Sequence, residues 1–457
     1  MKKVLIFASA IVFLACKKDI QPDYAIISGK ITNKPVGAVT INSLNRSFSE
    51  SIEFTEDGSF SDTLALDNKS YVLYDGQNPI FIRLEAGDKL NINYDASDFE
   101  NTLSITGVGS EVSNYIMARK KTERRMFGNA NETYTLNESD FKSKFTKIKD
   151  TLFGLLNNTS GLSKEFVKNE KRNIRYFYLK SLMDYEGAHR YFTKNESFQT
   201  SDDFLKEFVA FDYSNEEDYV FSDNYKRIVS NHFVEESRKL AEKDSLTNDL
   251  AFVKITSTNK SEVIKNDLLF EFANFNMSYS SDIKVFYDTF MANSTNQDNN
   301  EIITEKYKKL TALAKGNVSP KFENYENYKG GTTSLVDLKG KYVYVDVWAT
   351  WCGPCIREIP ALKEIEKQYH GKNIEFVSVS IDKLTDHDKW TAMVADKALS
   401  GTQLMADNDW NSNFVKEYQI QGIPRFILID PEGKIVDHNA PRPSDPTLEA
   451  LFQEENI

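Results

Sequence analysis

Residues 342–360, YVYVDVWATWCGPCIREIP, constrain this chain more than any other stretch. Tyr342, Val343, Tyr344, Val345 and Val347 form an apolar, β-branched run that reads as a buried strand. The run breaks at Trp351-Cys352-Gly353-Pro354-Cys355, after which Ile356, Ile359, Leu362 and Ile365 follow helical spacing. Two cysteines therefore stand where a strand hands over to a helix N-terminus. Unpaired N–H groups and the positive end of the helix dipole favour an anion there, and a C-x-x-C pair in that setting has a lowered thiol pKa. Pro354 suits the first turn, where its missing N–H costs nothing. Cys355 lies about one turn beyond Cys352, close enough to close a short disulfide. Cys352 is thus the candidate attacking thiol and Cys355 the resolving one.

The competing use of such a pair is half of a structural zinc site. Zinc needs further ligands at ligand spacing. The one other cysteine is Cys16, and the five histidines are scattered along the chain. The strand–helix context favours redox chemistry, with no metal and no cofactor beyond the Cys352–Cys355 disulfide.

Several further positions agree with the thioredoxin superfamily, which WCGPC after an apolar strand resembles. Asp346 stands where that family has a buried aspartate, Trp348 and Trp351 match its two tryptophans, and Pro360 matches the proline of its active-site helix. Gln421-Gly422-Ile423-Pro424 matches the loop carrying its cis-proline, ahead of a strand at residues 425–429. The segments SLVDLKGK at 334–341 and LIDPEGKIV at 428–436 resemble the TlpA/ResA-type envelope thiol–disulfide oxidoreductases. The resemblance covers residues 318–457 and implies an α/β thioredoxin-like domain. It also implies that Ile423 pairs its backbone with a substrate chain, that Pro424 is cis beside the disulfide, and that Trp351, Gly353 and Pro354 border the bound substrate. An isolated carboxyl in an apolar strand should have a raised pKa. With the resemblance, Asp346 becomes a proton shuttle for Cys355; without it, an aspartate pointing outward from the strand would be the plainer reading.

At the N-terminus, Lys2 and Lys3 precede an apolar run at 4–14, which reads as a secretory signal over residues 1–15. Phe13-Leu14-Ala15-Cys16 resembles the lipobox of bacterial lipoproteins, making Cys16 the expected lipidation site; a plain secretory signal is the alternative. This gives a lipid-anchored protein of the cell envelope, periplasm-facing or in the outer membrane. No apolar run reaches bilayer-spanning length, and the net charge of −12 argues against nucleic acid as a partner.

Residues 16–24 read as a tether and 25–109 as a small all-β domain, with short alternating strands near Ile27, Val39 and Ser51 separated by turns such as Asp57-Gly58. Residues 110–315 read as an all-α region of seven to nine helices. Segments with helical spacing include Phe204, Leu205, Phe208 and Val209, while residues 293–300 (NSTNQDNN) read as a loop. The aromatic group Tyr176, Phe177, Tyr178, Tyr185, Tyr191 and Phe192 reads as packing rather than a ligand cleft. Arg119, Lys120, Lys121, Arg124 and Arg125 read as a solvated helix face.

The chemistry implied is thiol–disulfide exchange on disulfide-containing envelope proteins through a mixed disulfide. The Gly-Pro dipeptide is that of thioredoxin and favours a reductase; an oxidant or isomerase is the alternative. For the family, a reductase draws electrons from a DsbD- or CcdA-like membrane donor and serves substrates such as apocytochrome c. A peroxidase is disfavoured because Ala349 holds the place where a peroxiredoxin carries serine or threonine. The non-enzymatic rival is a ligand- or partner-binding lipoprotein whose redox domain is an accessory.

Overall fold

The computed structural model describes residues 23–35, 37–44, 48–65 and 70–457, so the signal at 1–15 and Cys16 lie outside the described residues. The chain divides into two compact units. The first takes the described residues up to Phe211 together with Glu217–Ile228; the second takes Asp212–Glu216 and Val229–Ile457.

The first unit begins with β1 (Tyr24–Thr32), β2 (Val39–Ser43), β3 (Ser49–Ile52), β4 (Ser59–Ala65), β5 (Ser70–Tyr74), β6 (Pro79–Arg83), β7 (Lys89–Asp95), α1 (Phe99–Thr102) and β8 (Ser104–Val108). The strands make two four-stranded sheets, β4-β1-β7-β8 and β3-β2-β5-β6. Inward residues of both, among them Ile27, Ile41, Leu73, Ile80 and Ile92, share one core, as strict alternation along each strand requires. Helices α2 (Ser110–Phe127), α3 (Ala130–Tyr134), α4 (Glu138–Asn158), α5 (Lys164–Thr193) and α6 (Glu216–Phe221) follow. Asn137 caps α4 by accepting from the Asp140 N–H, and Phe141, Phe145, Ile148, Leu152 and Leu156 form its buried stripe.

The division falls within α7 (Asp223–Asp244). The second unit continues with α8 (Asn248–Thr256), α9 (Glu262–Asn276), α10 (Ile283–Asn293) and α11 (Gln297–Thr311). Its sheet is built from β9 (Tyr325–Asn327), β10 (Thr332–Thr333), β11 (Tyr342–Trp348), β12 (Ile374–Ser380), β13 (Thr402–Met405), β14 (Arg425–Ile429) and β15 (Ile435–Asp437). Helices α12 (Gly353–Gln368), α13 (His387–Asp396), α14 (Asn413–Glu417) and α15 (Thr447–Glu454) complete it. The seven strands run in the order β10-β9-β13-β12-β11-β14-β15. Central β11 is parallel to β12 and antiparallel to β14, and a strand buried on both sides reads as the continuous apolar run seen in the sequence. One face carries Tyr344, Phe376, Phe426 and Leu428 against Leu362 and Ile365 of α12 and Phe452 of α15. The other carries Val343, Val345, Val347, Val377 and Ile427, in one core with Leu269 and Ala273 of α9, Phe286 and Phe290 of α10, and Ile303 and Leu310 of α11. The later helices thus cover one face of the seven-stranded sheet.

The structure departs from the sequence reading in four places. Among the described residues, α2 to α11 make ten helices where seven to nine were expected; α10 and the short α3 and α6 account for the excess. The Phe204–Val209 spacing yields only a 3-10 turn at Lys206–Phe208: Phe204 inserts beside Tyr185, ring centres 5.0 Å apart, and Val209 is left in solvent. Residues 297–300 are not loop but the first turn of α11, because Asn296 caps it by accepting from the Asn299 N–H at 2.9 Å. Arg119 is not on a solvated face; it is buried between Glu123 and Glu170, at 2.6 and 2.7 Å. In the aromatic group, Tyr185 is packed between Phe141 and Phe204, while Tyr191 is exposed.

Candidate active site

After Trp348 the chain leaves the sheet, and the Cys352 N–H donates to the Ala349 carbonyl at 3.0 Å, closing the turn into α12. Cys352 is the N-cap of that helix, and its Sγ accepts the Cys355 N–H at 3.2 Å. This N–H is one of those a helix start leaves unpaired, so the sulfur takes the place an oxygen takes in an ordinary cap. Cys352 and Cys355 are joined as a disulfide, with Cα atoms 5.3 Å apart, and each is only 4% exposed. Gly353 and Pro354, between them, are exposed. A methyl group added at Gly353 would meet only Arg357, at 3.8 Å, so the backbone beside the disulfide is open to an approaching chain. Trp351 is 55% exposed and lies 6.3 Å from the Trp410 ring. With Thr350, Lys389 and Met393 it lines an open cleft of about 520 Å³.

Two neighbours hold the turn. The Thr350 N–H and hydroxyl donate to the Asp382 carboxylate at 2.9 and 2.7 Å, and the Ser380 hydroxyl donates to it at 2.7 Å. Asp382, 1% exposed at the end of β12, therefore fixes the residues just before the disulfide through charge-assisted bonds. The second neighbour is the loop before β14. Its Ile423–Pro424 peptide bond is cis. Arg425 pairs with Val347, which brings Ile423 and Pro424, both half-buried, to the same end of the sheet as the turn into Cys352.

Asp346 sits two residues before Trp348, inside β11 and buried, not outward-facing. Its Oδ1 has no hydrogen-bond partner among the described residues. Loss of water, with the charges of Glu366 and Glu358 of α12 added, pushes its carboxyl up to about 8. Glu366 is also raised, by burial first. Glu358 is held by the Ser444 N–H and hydroxyl at 3.1 and 3.0 Å.

The sequence gives no role to two groups that shape the Pro424 loop. Arg425 is 1% exposed. It donates to Asn439 Oδ1 at 2.8 Å and to the Ser278 carbonyl and hydroxyl at 3.4 and 3.2 Å, with Tyr279 stacked 4.2 Å from its guanidinium. Lys306 of α11 donates to Gln421 Oε1 at 2.7 Å and to the Asn274 carbonyl. Burial first, and the nearby Arg425 charge second, lower Lys306 to about 8. The signal for Lys306 was its place on the apolar stripe Ile303–Leu310 of α11, where a lysine must find a buried partner. Among the described residues no group of three or more His, Cys, Asp or Glu side chains could hold a metal ion, and no helix is long and apolar enough to cross a membrane.

A strand-buried carboxyl, a capped C-x-x-C disulfide and a neighbouring cis-proline on a central-β11 sheet define a thioredoxin-like redox domain. Residues 314–451 match the family described as Redoxin. The thiol-disulfide oxidoreductase ResA of Bacillus subtilis is 29% identical over 127 residues, which cover 27% of this chain and 66% of that protein. ResA of Oceanobacillus iheyensis is 32% identical over 125 residues and 62% of its length, so the chain matches just under two thirds of these relatives. The thioredoxin-like protein YneN of Bacillus subtilis is 29% identical over 130 residues and 74% of its length. Among solved structures, the thioredoxin domain of a thiol-disulfide oxidoreductase from Bacteroides vulgatus is 31% identical, aligned over 31% of this chain and 98% of that one, with a TM-score of 0.29.

Proposed function

We propose that this protein is a thiol–disulfide oxidoreductase acting as a reductase of protein disulfides. The observation that carries the reading is the disulfide itself: a C-x-x-C pair whose first sulfur caps a helix and accepts an N–H. In the reduced protein the same N–H and helix end stabilise a Cys352 thiolate. That thiolate attacks one sulfur of a substrate disulfide and expels the other as a thiolate, leaving Cys352 joined to the substrate. Cys355 gives up its proton and attacks Cys352 Sγ, which releases the second substrate sulfur and re-forms the Cys352–Cys355 bond. Two electrons pass from protein to substrate. Asp346 takes the Cys355 proton, the Ile423 backbone pairs with the substrate chain beside Pro424, and Trp351, Gly353 and Pro354 border it. The relatives' printed names and the thioredoxin Gly-Pro dipeptide support this reading. The test is reduction of insulin by the full-length protein with dithiothreitol as electron source; an inert wild type would sink the reading.

We place the protein in the cell envelope, anchored through lipid on Cys16, with electrons supplied by a DsbD- or CcdA-like membrane donor and disulfide-bearing envelope proteins as substrates. The basic-then-apolar leader and the Leu14-Ala15-Cys16 ending support this placement. Metabolic lipid labelling should be lost in Cys16→Ser; labelling that persists contradicts the anchor.

A further inference from the structure

Residues outside the thioredoxin-like domain reach its substrate-side loop. The loop Gln421–Pro424 is tied to the end of α9 and the turn Met277–Tyr279 that follows it: Lys306 holds Gln421 to the Asn274 carbonyl, and Arg425 is clasped by Ser278 and Tyr279. The contact extends to the backbone. A methyl group placed on Gly422 would lie 3.1 Å from Tyr279 Oη and 3.7 Å from Phe275 Cζ, so both aromatic tips touch the residue before Ile423. The rings lie 6.0 Å apart. They are nevertheless open to solvent, Phe275 at 51% and Tyr279 at 37%. Two half-exposed aromatic rings set against a peptide-pairing loop form a ready contact for an apolar side chain on the paired peptide.

We propose that Phe275 and Tyr279 are specificity-determining residues that select substrates carrying an apolar side chain next to the reactive cysteine. The inference rests on the thiol–disulfide reading and on Ile423 as the pairing residue. An extended chain paired at Ile423 carries its side chains past Gly422, where these rings stand. The buried Arg425 and Lys306 keep the loop and the α9 end in fixed register, so the two parts of the surface act as one. The α9 segment is thereby part of the substrate-binding face, and a thioredoxin-like domain without it would lack this preference.

The test uses the pre-reduced full-length protein and two symmetric peptide disulfides, identical except that the residue after cysteine is leucine in one and serine in the other. Each reaction converts the protein dithiol and one peptide disulfide to the protein disulfide and two peptide thiols. The wild type should favour the leucine peptide by about tenfold in second-order rate constant, the scale of one apolar contact in a partly open site. Phe275→Ala should bring the ratio to about twofold or less, and Phe275→Leu should restore most of it. A wild-type ratio near one, or a ratio unchanged in Phe275→Ala, overturns the proposal while leaving the redox reading intact. A wild type that reduces neither peptide overturns both.

Discussion

Cys355→Ala is expected to convert the protein into a trap that accumulates covalent complexes with its substrates. Cys352, still capping α12 and still served by the residue-355 N–H, attacks and expels the first substrate sulfur. No second thiol then follows, because the one remaining cysteine, Cys16, is the proposed lipid attachment site, where its sulfur is taken up by the anchor. The mixed disulfide persists until an external thiol cleaves it. On a non-reducing gel the variant should run as higher-mass adducts with a disulfide substrate, and dithiothreitol should collapse them. Cys352→Ala should form no adducts and should lose insulin reduction by at least about 1000-fold, since the attacking sulfur itself is gone. Adducts on Cys352→Ala, or none on Cys355→Ala, would assign the nucleophile wrongly.

Asp346→Asn carries the second large effect, and it separates a kinetic from a thermodynamic consequence. A carboxyl at about 8 is mostly protonated at neutral pH and becomes a base as pH rises. Resolution of the mixed disulfide by Cys355 should therefore accelerate through pH 8 in the wild type. In Asp346→Asn it should be slower by about 100-fold there, without that inflection. Stability follows the opposite course. The folded state holds this proton up to about 8, whereas an unfolded aspartate loses it near 3.8, so the folded state binds more protons across that interval. Stability falls as pH rises from about 4 to about 8 and is then level for this group. The displacement corresponds to at most about 6 kcal/mol. Urea unfolding of the oxidised protein should find Asp346→Asn close to wild type at pH 4 and more stable by a few kcal/mol at pH 8.5. Parallel pH profiles for the two proteins would remove the buried-carboxyl account.

What was legible in the sequence is what depends on neighbouring residues. The strand, the helix and the cysteines between them are written within residues 342–365, since a buried run, a Pro near a helix start and a three-residue spacing each have a local cause. The alternating strands of the first unit were equally plain. The helical region was legible as texture but not as a destination. Apolar stripes on α9, α10 and α11 show that each helix buries a face, yet nothing local says that the face is one side of the β11–β14 sheet. Helix α10 was missed although Asp282 caps it and Phe286 and Phe290 fall one turn apart; the polar run 293–300 that follows it read as loop. Arg119, Lys306 and Arg425 show a common limit: a charge in an apolar stripe announces that a partner exists, and only the fold reveals Glu170, Gln421 or Ser278.

The first of these relationships also changes how the redox domain is pictured. Its sheet is complete as a thioredoxin-like layer, but one face is finished by helices drawn from residues 248–311, in a single core with Trp348, Cys352 and Cys355. The end of α9, the turn after it and Lys306 of α11 also hold the segment around Pro424 through Gln421 and Arg425, which ties the helical region to the site's end of the sheet.

The most direct test of the reductase claim is the redox potential of the Cys352–Cys355 pair in the full-length protein, equilibrated against glutathione or dithiothreitol buffers and read by thiol alkylation. A value near that of thioredoxin, about −270 mV, is the expected result. A value near that of the oxidant DsbA, about −120 mV, would contradict it and make the protein a donor of disulfides.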